Sequence, residues 1–389
     1  MNKSRVYFLM AASMTLMLLV SGFSLSAPQA PIKIGVVHPL SGTIAMEGHE
    51  CLRGAQFAAK LFNDAGGLDG RKAEIVAADS KGTPVESVNA AEKLITSDKV
   101  VALCGAFTSG ATRAIFPILE RHGILMTNNV SSDQTLTNPG HPWFFRTKVG
   151  NDHRSMFFGK FIAVNLNAKS VAMLAVNDDF GRTAVASHKD VFLQHGVKIP
   201  IIEYFEHGEM NFQAVMTKIK NSGADALFLV AEVQDGAMIM RQYYETGLKM
   251  PVVTVGSLAT PEFFKLAGRN AEGIYTAECY ADGIDNPVNL EFVEAWKKQY
   301  KYEPGNYALS GYMEAKAILE AIKLSKSDNP TKIRDAMRKV SYDSPIGHVS
   351  FDENGQAHTN LYITLNKNGK AIMIAEWDSV NLVSTLRNK

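Results

Sequence analysis

The feature of this sequence that most constrains its fold is a regular alternation of short apolar runs with amphipathic segments. Residues 32–37 and 74–78 are largely apolar and predict strands, whereas residues 48–63 and 84–97 have the apolar spacing of helices. The same alternation restarts after Gly150. Strands that alternate with helices build parallel sheets covered on both faces. Two successive arrays therefore predict an α/β protein with two doubly wound, Rossmann-like lobes.

Residues 1–28 have the pattern of a segment that is removed rather than folded. Lys3 and Arg5 precede a long apolar run, and small residues follow it. This order is typical of a secretory signal peptide, with cleavage expected between Ser26 and Ala30. Because the apolar run is long, an uncleaved membrane anchor is the alternative. The segment predicts an exported protein located in the periplasm.

Charge and cysteine content argue against several classes of function. The 40 basic and 39 acidic residues give a net charge of +1 and form no basic stripe, so no nucleic-acid partner is expected. The three cysteines, Cys51, Cys104 and Cys279, lack the spacing of metal ligands. Two of them could pair in an oxidising compartment, but buried free thiols are favoured.

Motifs for catalysis and for cofactor binding are missing from the sequence. It contains no G-x-G-x-x-G fingerprint, no P-loop and no G-x-S-x-G turn. His49, Glu50 and Cys51 have no partner at the spacing of metal ligands. Ser109 has no histidine at a position suited to a catalytic base. The sequence therefore predicts a protein that is not an enzyme and that holds no cofactor or metal ion.

Residues 100–132 carry the strongest functional signal. An apolar run at residues 100–104 leads into a turn that contains Ser109, and a second run at 124–126 leads into a turn that contains Ser131. In an open parallel sheet, both turns lie at the carboxyl ends of strands, where such folds bind ligands. Each turn is expected to precede a helix, whose free N–H groups suit a carboxylate. The alternative is that both serines are ordinary helix caps.

Five short motifs connect the chain with a known family. They are Ile32-Lys33-Ile34-Gly35 through Pro39-Leu40-Ser41-Gly42, Arg53-Gly54-Ala55, Asn63-Asp64-Ala65-Gly66-Gly67-Leu68-Asp69-Gly70-Arg71, Ser109-Gly110-Ala111-Thr112 and Phe145-Arg146-Thr147. In these motifs the chain resembles the periplasmic branched-chain amino-acid-binding (leucine/isoleucine/valine-binding-like) family, the type I solute receptors of ABC importers. The resemblance covers nearly the whole chain after the signal segment.

This resemblance implies the type I periplasmic binding protein fold, in which two doubly wound lobes joined by a three-strand hinge close around a small solute. It implies an N-terminal lobe of residues 31–149 plus 281–345 and a C-terminal lobe of residues 150–280 plus 346–389. The late helices then return to the first lobe, whereas the closing strands belong to the second.

The resemblance also implies how a carboxylate is held. In the family, a first-lobe serine binds the carboxylate of an amino acid together with a hydroxyl and an N–H from the next turn. These positions match Ser109 and Ser131. A backbone carbonyl that lies just before the second hydroxyl also contributes, and it matches Asn129 or Val130.

The rest of the implied site departs from the family. Aromatic positions match Phe180 and Tyr307, but the second-lobe acid that pairs the ligand's ammonium aligns with Gly256 and is missing. Glu232 and Glu47 stand instead where aromatics often line the pocket. Because a buried ammonium needs a carboxylate, either Glu232 binds it or the ligand is not a plain aliphatic amino acid. Two acids near one cleft favour an amino group or a second cationic centre. The alternatives are a solvated loop acid for Glu47 and a helix-start acid for Glu232.

Together these observations predict a monomeric receptor that binds a small amino acid or amino-acid-like carboxylate and then docks on the membrane permease of an ABC importer. Closure is favoured because only the closed state contacts the solute from both lobes. The alternative is a ligand-sensing receptor or regulator of the same fold for amides, aromatic acids or other small organic solutes. The export signal and the missing DNA-binding segment weigh against a regulator.

Overall fold

A computed structural model describes residues 30–378 and 383–386, so the predicted signal peptide lies outside the described residues. From Ile32 onwards, the described chain forms one unit that contains a five-stranded sheet, an eight-stranded sheet and a two-stranded hairpin. Among its described helices, none combines the length and apolar character needed to cross a membrane.

The first sheet is entirely parallel. Its strands are β1 (Ile32–His38), β2 (Ala73–Asp79), β3 (Ala102–Gly105), β4 (Met126–Asn128) and β5 (Phe144–Arg146). Their order across the sheet is β2-β1-β3-β4-β5. Because β3 and β4 are parallel neighbours, the turns that follow them lie side by side at one edge of the sheet.

The second sheet is mixed. The remaining strands are β6 (Val171–Val176), β7 (Ile202–Phe205), β8 (Ala226–Val230), β9 (Val252–Val255), β10 (Tyr275–Glu278), the hairpin β11 (Ser341–Ser344) and β12 (Gly347–Ser350), and β13 (Leu361–Lys367), β14 (Lys370–Asp378) and β15 (Val383–Leu386). The order in the sheet is β15-β14-β13-β10-β9-β8-β6-β7. The part from β7 to β10 is parallel, and the closing strands extend it antiparallel from β10.

Helices flank both sheets. They are α1 (Ala45–Asp64), α2 (Pro84–Thr96), α3 (Ser109–His122), α4 (Asn151–Lys160), α5 (Asp179–Gln194), α6 (Gln213–Asn221), α7 (Val233–Glu245), α8 (Pro261–Ala267), α9 (Pro287–Tyr300), α10 (Asn306–Ser325) and α11 (Pro330–Met337). The late helix α10 packs directly on α1. A Cβ atom at Gly311 would lie 1.8 Å from the Cys51 carbonyl oxygen, and one at Gly54 would lie 2.0 Å from that of Ala308. The two helices thus touch through their backbones.

The predicted α/β class is confirmed, with helices on a parallel sheet and on a second sheet whose β7 to β10 part is parallel, but two local predictions are wrong. The first helix begins at Ala45 rather than Gly48, which moves Glu47 from the predicted loop into a helical turn. The helix expected after Ser132 is only the single 3-10 turn Gln134–Leu136, which the Asp133 side chain caps. All three cysteines are buried free thiols, as favoured from the sequence.

Candidate functional site

Residues that follow strands of both sheets line one cavity. Its volume is about 420 Å³, including the part open to solvent. The lining residues are Phe107, Thr108, Ser109, Val130, Ser131, Ser132 and Lys148 on the side of the first sheet, Phe180, Glu232, Gly256, Ser257 and Glu278 on the side of the second, and Asn306, Tyr307 and Ser310 of α10. Of the residues expected in a site, Asn129 and Glu47 are not part of this lining.

Ser109 lines the cavity at the N-terminus of α3 but does not cap that helix. The cap is Thr108, whose hydroxyl accepts the Ala111 N–H at 3.3 Å. The Ser109 hydroxyl accepts the Asp133 N–H at 3.4 Å, and its own proton has no acceptor among residues 30–378. This O–H and the N–H groups of the first helical turn that Thr108 does not bind can therefore donate to an anion.

Ser131 offers the cavity a hydroxyl but no free backbone donor. Its hydroxyl lies 2.7 Å from that of Thr112 and donates to the Phe107 carbonyl oxygen at 3.1 Å. The N–H groups of Val130 and Ser131 both donate to Asn128 Oδ1, at 3.1 and 2.8 Å. The N–H expected to bind a carboxylate is therefore already satisfied, and Ser131 precedes no α-helix that it could cap. To hold an anion, its O–H must turn away from Phe107.

Asn129 makes hydrogen bonds that hold the turn containing Ser131 in place. Its N–H donates to Glu314 Oε1 of α10 at 2.8 Å, and its side-chain amide donates to the Thr147 hydroxyl at 2.7 Å. Its carbonyl oxygen, expected to accept from a ligand, accepts the Ser310 hydroxyl at 3.4 Å. Glu314 also contacts buried His38 at 2.9 Å. These contacts fix the turn on which Ser131 stands.

A chain of hydrogen bonds joins α10 to the loops of the second sheet. The Tyr307 hydroxyl donates to Ser257 Oγ at 2.7 Å, and Ser257 donates to Glu232 Oε2 at 2.6 Å. Glu232 immediately precedes α7, yet its side chain makes no capping hydrogen bond. Burial raises the pKa of Glu232, and the bond from Ser257 offsets part of this rise. Phe180, at the start of α5, lines the same side.

Sequence reasoning missed two charged residues in the lining, Lys148 and Glu278. Glu278 ends β10, and its Oε1 would lie 3.8 Å from a Cβ atom at Gly256, where the expected acid is missing. Its Oε1 forms an ion pair of 3.1 Å with buried Arg154, and its Oε2 accepts the Cys279 N–H. Burial raises the pKa of Glu278, but the charges of Arg154 and Lys148 outweigh this and leave it lowered. A glutamate at the end of an otherwise apolar strand was the available signal.

Glu47 is completely buried in the first turn of α1, so its interpretation as a solvated loop acid is wrong. Neither carboxylate oxygen has a hydrogen-bond partner among the described residues. Burial raises the pKa of Glu47 to about 8, and the charges of Glu232 and Glu262 add to the rise. This carboxyl group is therefore protonated at neutral pH.

Residues 31–370 match the profile of a family described as periplasmic binding protein. The leucine-, isoleucine-, valine-, threonine- and alanine-binding protein of Pseudomonas aeruginosa is 27% identical over 337 residues, which cover 86% of this chain and 90% of that protein. The Leu/Ile/Val-binding protein homolog 1 of Brucella suis is 27% identical over 336 residues, which again cover 86% of this chain and 90% of that protein.

Solved structures resemble the chain over the same length. A leucine-binding protein from Thermotoga maritima superposes with a TM-score of 0.84 at 26% identity, covering 90% of this chain and 100% of that one. A solute-binding protein of an ABC transporter from Rhodopseudomonas palustris, in complex with 3,4-dihydroxybenzoic acid, has a TM-score of 0.81 at 25% identity. That match covers 90% of this chain and 98% of the other.

Proposed function

The chain belongs to the periplasmic binding protein family, whose two-lobed type I fold it shares, and on this basis we propose that it is the solute receptor of an ABC importer. Its relatives are solute-binding proteins of transporters, not enzymes. The observation that carries the proposal is a single cavity with serine hydroxyls on one side and Phe180 and Glu232 on the other. The lobes close around the solute at this cavity, and the closed form docks on a membrane permease.

The lobe boundaries inferred from the sequence are part of this proposal. Residues 31–149 plus 281–345 form the N-terminal lobe, and residues 150–280 plus 346–389 form the C-terminal lobe. The packing of α10 on α1 and the pairing of β13 with β10 support this division. The receptor is exported behind a cleaved signal peptide, acts in the periplasm and works as a monomer.

Contacts between the proposed lobes support hinge closure as the mechanism. Tyr307 of the N-terminal lobe donates to Ser257 of the C-terminal lobe at 2.7 Å. A Cβ atom at Gly110 would lie 3.1 Å from Asp179 Oδ2, so α3 and α5 approach closely beside the cavity. Opening breaks these contacts. A solute held by both lobes adds further contacts that exist only in the closed state and so shifts the population towards it.

The favoured ligand is a small amino acid or an amino-acid-like carboxylate. Its carboxylate lies at the N-terminus of α3 against Ser109 and Ser131, and Glu232 accepts from its ammonium. Relatives named for aliphatic amino acids support this class. An aromatic carboxylate is the second candidate, because the raised pKa of Glu232 suits a ligand without an ammonium and a similar receptor is solved with 3,4-dihydroxybenzoic acid.

A thermal-shift screen of the exported protein against amino acids, aromatic acids, amides and polyamines tests this function. A ligand that binds only the folded state at about 100 times its Kd adds about 2.7 kcal/mol of stability, which is several degrees in Tm. We expect such a shift with at least one small carboxylate. A screen in which no small solute shifts Tm contradicts the receptor function.

Ser109→Ala and Ser131→Ala are each expected to weaken a carboxylate ligand about 5- to 30-fold while the protein stays folded. Each change removes one hydrogen bond to a charged group, worth about 1–2 kcal/mol. Calorimetric titration measures the loss. Ser187→Ala is the matched control, because among the described residues that hydroxyl bonds only within α5. Unchanged affinity in both site variants would refute the site.

Glu232→Gln separates the two candidate ligand classes. The variant is expected to weaken an amino acid on the order of 30-fold or more, because the ammonium loses its charged partner. Binding of an aromatic acid without an ammonium is expected to change much less. Calorimetric titration of L-leucine and benzoate against both proteins gives the comparison. Equal losses for the two ligands mean that Glu232 acts only through Ser257 and the closed structure.

A further inference from the structure

Lys148 is a buried cation in the wall of the cavity. It lies two residues after β5, it is 4% exposed, and Gln356 Nε2 donates to its carbonyl oxygen at 2.5 Å. Its backbone is thereby fixed. Its ammonium has no hydrogen bond and no carboxylate within 4.0 Å among residues 30–378. Burying an ammonium without an ion-pair partner is unfavourable, and the acid whose charge acts most strongly on Lys148, Glu278, is already paired with Arg154.

The other buried cations of this region already have partners. Arg154 forms an ion pair with Glu278 at 3.1 Å. Burial lowers the pKa of Arg146, and the nearby charge of Asp152 offsets part of this effect. The Arg146 guanidinium also donates to Gln356, to the Asp133 carbonyl and to Thr137, whereas the Lys148 ammonium has neither a hydrogen bond nor an ion pair with any described residue.

The acids on the opposite side do not supply the missing counter-charge. Neither Glu232 nor Glu47 comes within 4.0 Å of a basic side chain among the described residues. Glu232 Oε2 instead accepts the Ser257 hydroxyl at 2.6 Å. The expectation that two acids near the cleft favour a second cationic centre in the ligand therefore left out Lys148, a cation in the cavity wall that neither acid pairs.

We propose that Lys148 is the counter-charge for the carboxylate of the bound solute, which restricts the ligands of this cavity to organic anions and zwitterions. The inference rests on the proposed receptor function and narrows its substrate class. Ser109 and Ser131 orient the carboxylate, and Lys148 neutralises it from the end of β5. Neutral amides leave the ammonium unpaired, and polyamines bring a like charge towards it, so both classes are excluded.

Lys148→Met tests this role, because methionine keeps the length and apolar stem of the side chain and removes its charge. Calorimetry and thermal shift compare the variant with wild type and with Lys189→Met, a control on the exposed face of α5. The probes are L-leucine, benzoate, leucinamide and benzamide. We expect wild type to bind at least one acid and neither amide. Lys148→Met is expected to bind that acid on the order of 100-fold more weakly, and Lys189→Met to bind it unchanged.

A second readout needs no ligand. Ligand-free Lys148→Met is expected to melt no lower than wild type, because the change removes a buried charge that makes no hydrogen bond and no ion pair with the described residues. A clearly lower Tm, or an affinity for the acid within about 3-fold of wild type, assigns Lys148 a structural role and overturns the inference. Wild-type binding of an amide as tight as that of its acid also overturns it. If Lys148→Met retains affinity while Ser131→Ala loses it, the receptor function is supported and the role of Lys148 is rejected. If no solute in the wider screen binds, the receptor function itself fails.

Discussion

Replacing Glu47 with glutamine is expected to stabilise the protein at pH 8 and to remove a fall in stability that wild type shows as the pH rises. In the folded protein, burial raises the pKa of Glu47 from 4.5 to about 8. Between these two pH values the folded state keeps a proton that the unfolded state has lost, so the free energy of unfolding decreases with increasing pH. Each pH unit in this window is worth about 1.4 kcal/mol, which gives the variant a gain on the order of 4 kcal/mol at pH 8.

Urea unfolding at pH 5 and pH 8 measures this effect in wild type and in Glu47→Gln. The two proteins are expected to have similar free energies of unfolding near pH 5 and to diverge towards pH 8. Glu291→Gln, an exposed acid on α9, is the matched control and is expected to follow wild type. The same pH dependence in wild type and Glu47→Gln contradicts a protonated, unpartnered Glu47.

Arg146→Met is expected to lower the free energy of unfolding by about 3–5 kcal/mol at neutral pH. The Arg146 guanidinium is 1% exposed and donates to Gln356 Oε1 at 2.7 Å, to the Asp133 carbonyl at 2.6 Å and to the Thr137 hydroxyl at 2.8 Å. Burial lowers its pKa to about 10, so it stays charged at neutral pH. Methionine fills similar volume but leaves three buried polar groups without this donor.

Urea unfolding at pH 7 gives the loss for Arg146→Met. Arg241→Met on α7 is the control, because Arg241 is exposed and, in the part of the chain that the structure describes, pairs only with Glu245 one helical turn away. Such surface pairs contribute at most about 1 kcal/mol. If Arg146→Met lowers the free energy of unfolding by less than about 1 kcal/mol, the contacts from β5 to Gln356 do not hold the segment around Gln356 in place.

Much of the fold could be predicted because local patterns determine it. The apolar runs became buried parallel strands, such as β1 and β8, whose residues are enclosed by helices on both faces. The same reasoning gave a wrong prediction for the segment after Ser132. There the Asp133 side chain accepts the Thr135 N–H and caps a single 3-10 turn, and the Arg146 guanidinium binds the Asp133 carbonyl. The second of these contacts is not local in sequence, so the pattern of the segment alone could not reveal it.

Most residues of the candidate site could be located from the sequence. Ser109, Ser131, Phe180, Glu232 and Tyr307 all line the cavity. Ser109 and Ser131 could be found because the turns after parallel strands gather at one edge of a sheet, whereas Phe180, Glu232 and Tyr307 followed from the family resemblance.

Three other ionisable residues, Lys148 and Glu278 in the lining and the buried Glu47, could not be placed in the same way. Lys148 and Glu278 look like ordinary polar residues at strand ends, and their burial depends on how the two sheets meet. Glu47 was assigned to a loop because the start of α1 carries no side-chain cap that marks it. In all three cases, distant contacts decide the environment of a charge that local patterns leave undefined.

A crystal structure of the protein with the carboxylate that gives the largest thermal shift tests the central claim most directly. The account predicts the solute between the lobes, with a carboxylate oxygen within about 3.2 Å of the Ser109 or Ser131 hydroxyl and the Lys148 ammonium beside it. A solute bound elsewhere, with the Ser131 hydroxyl still donating to Phe107 and Lys148 still unpaired, would contradict it.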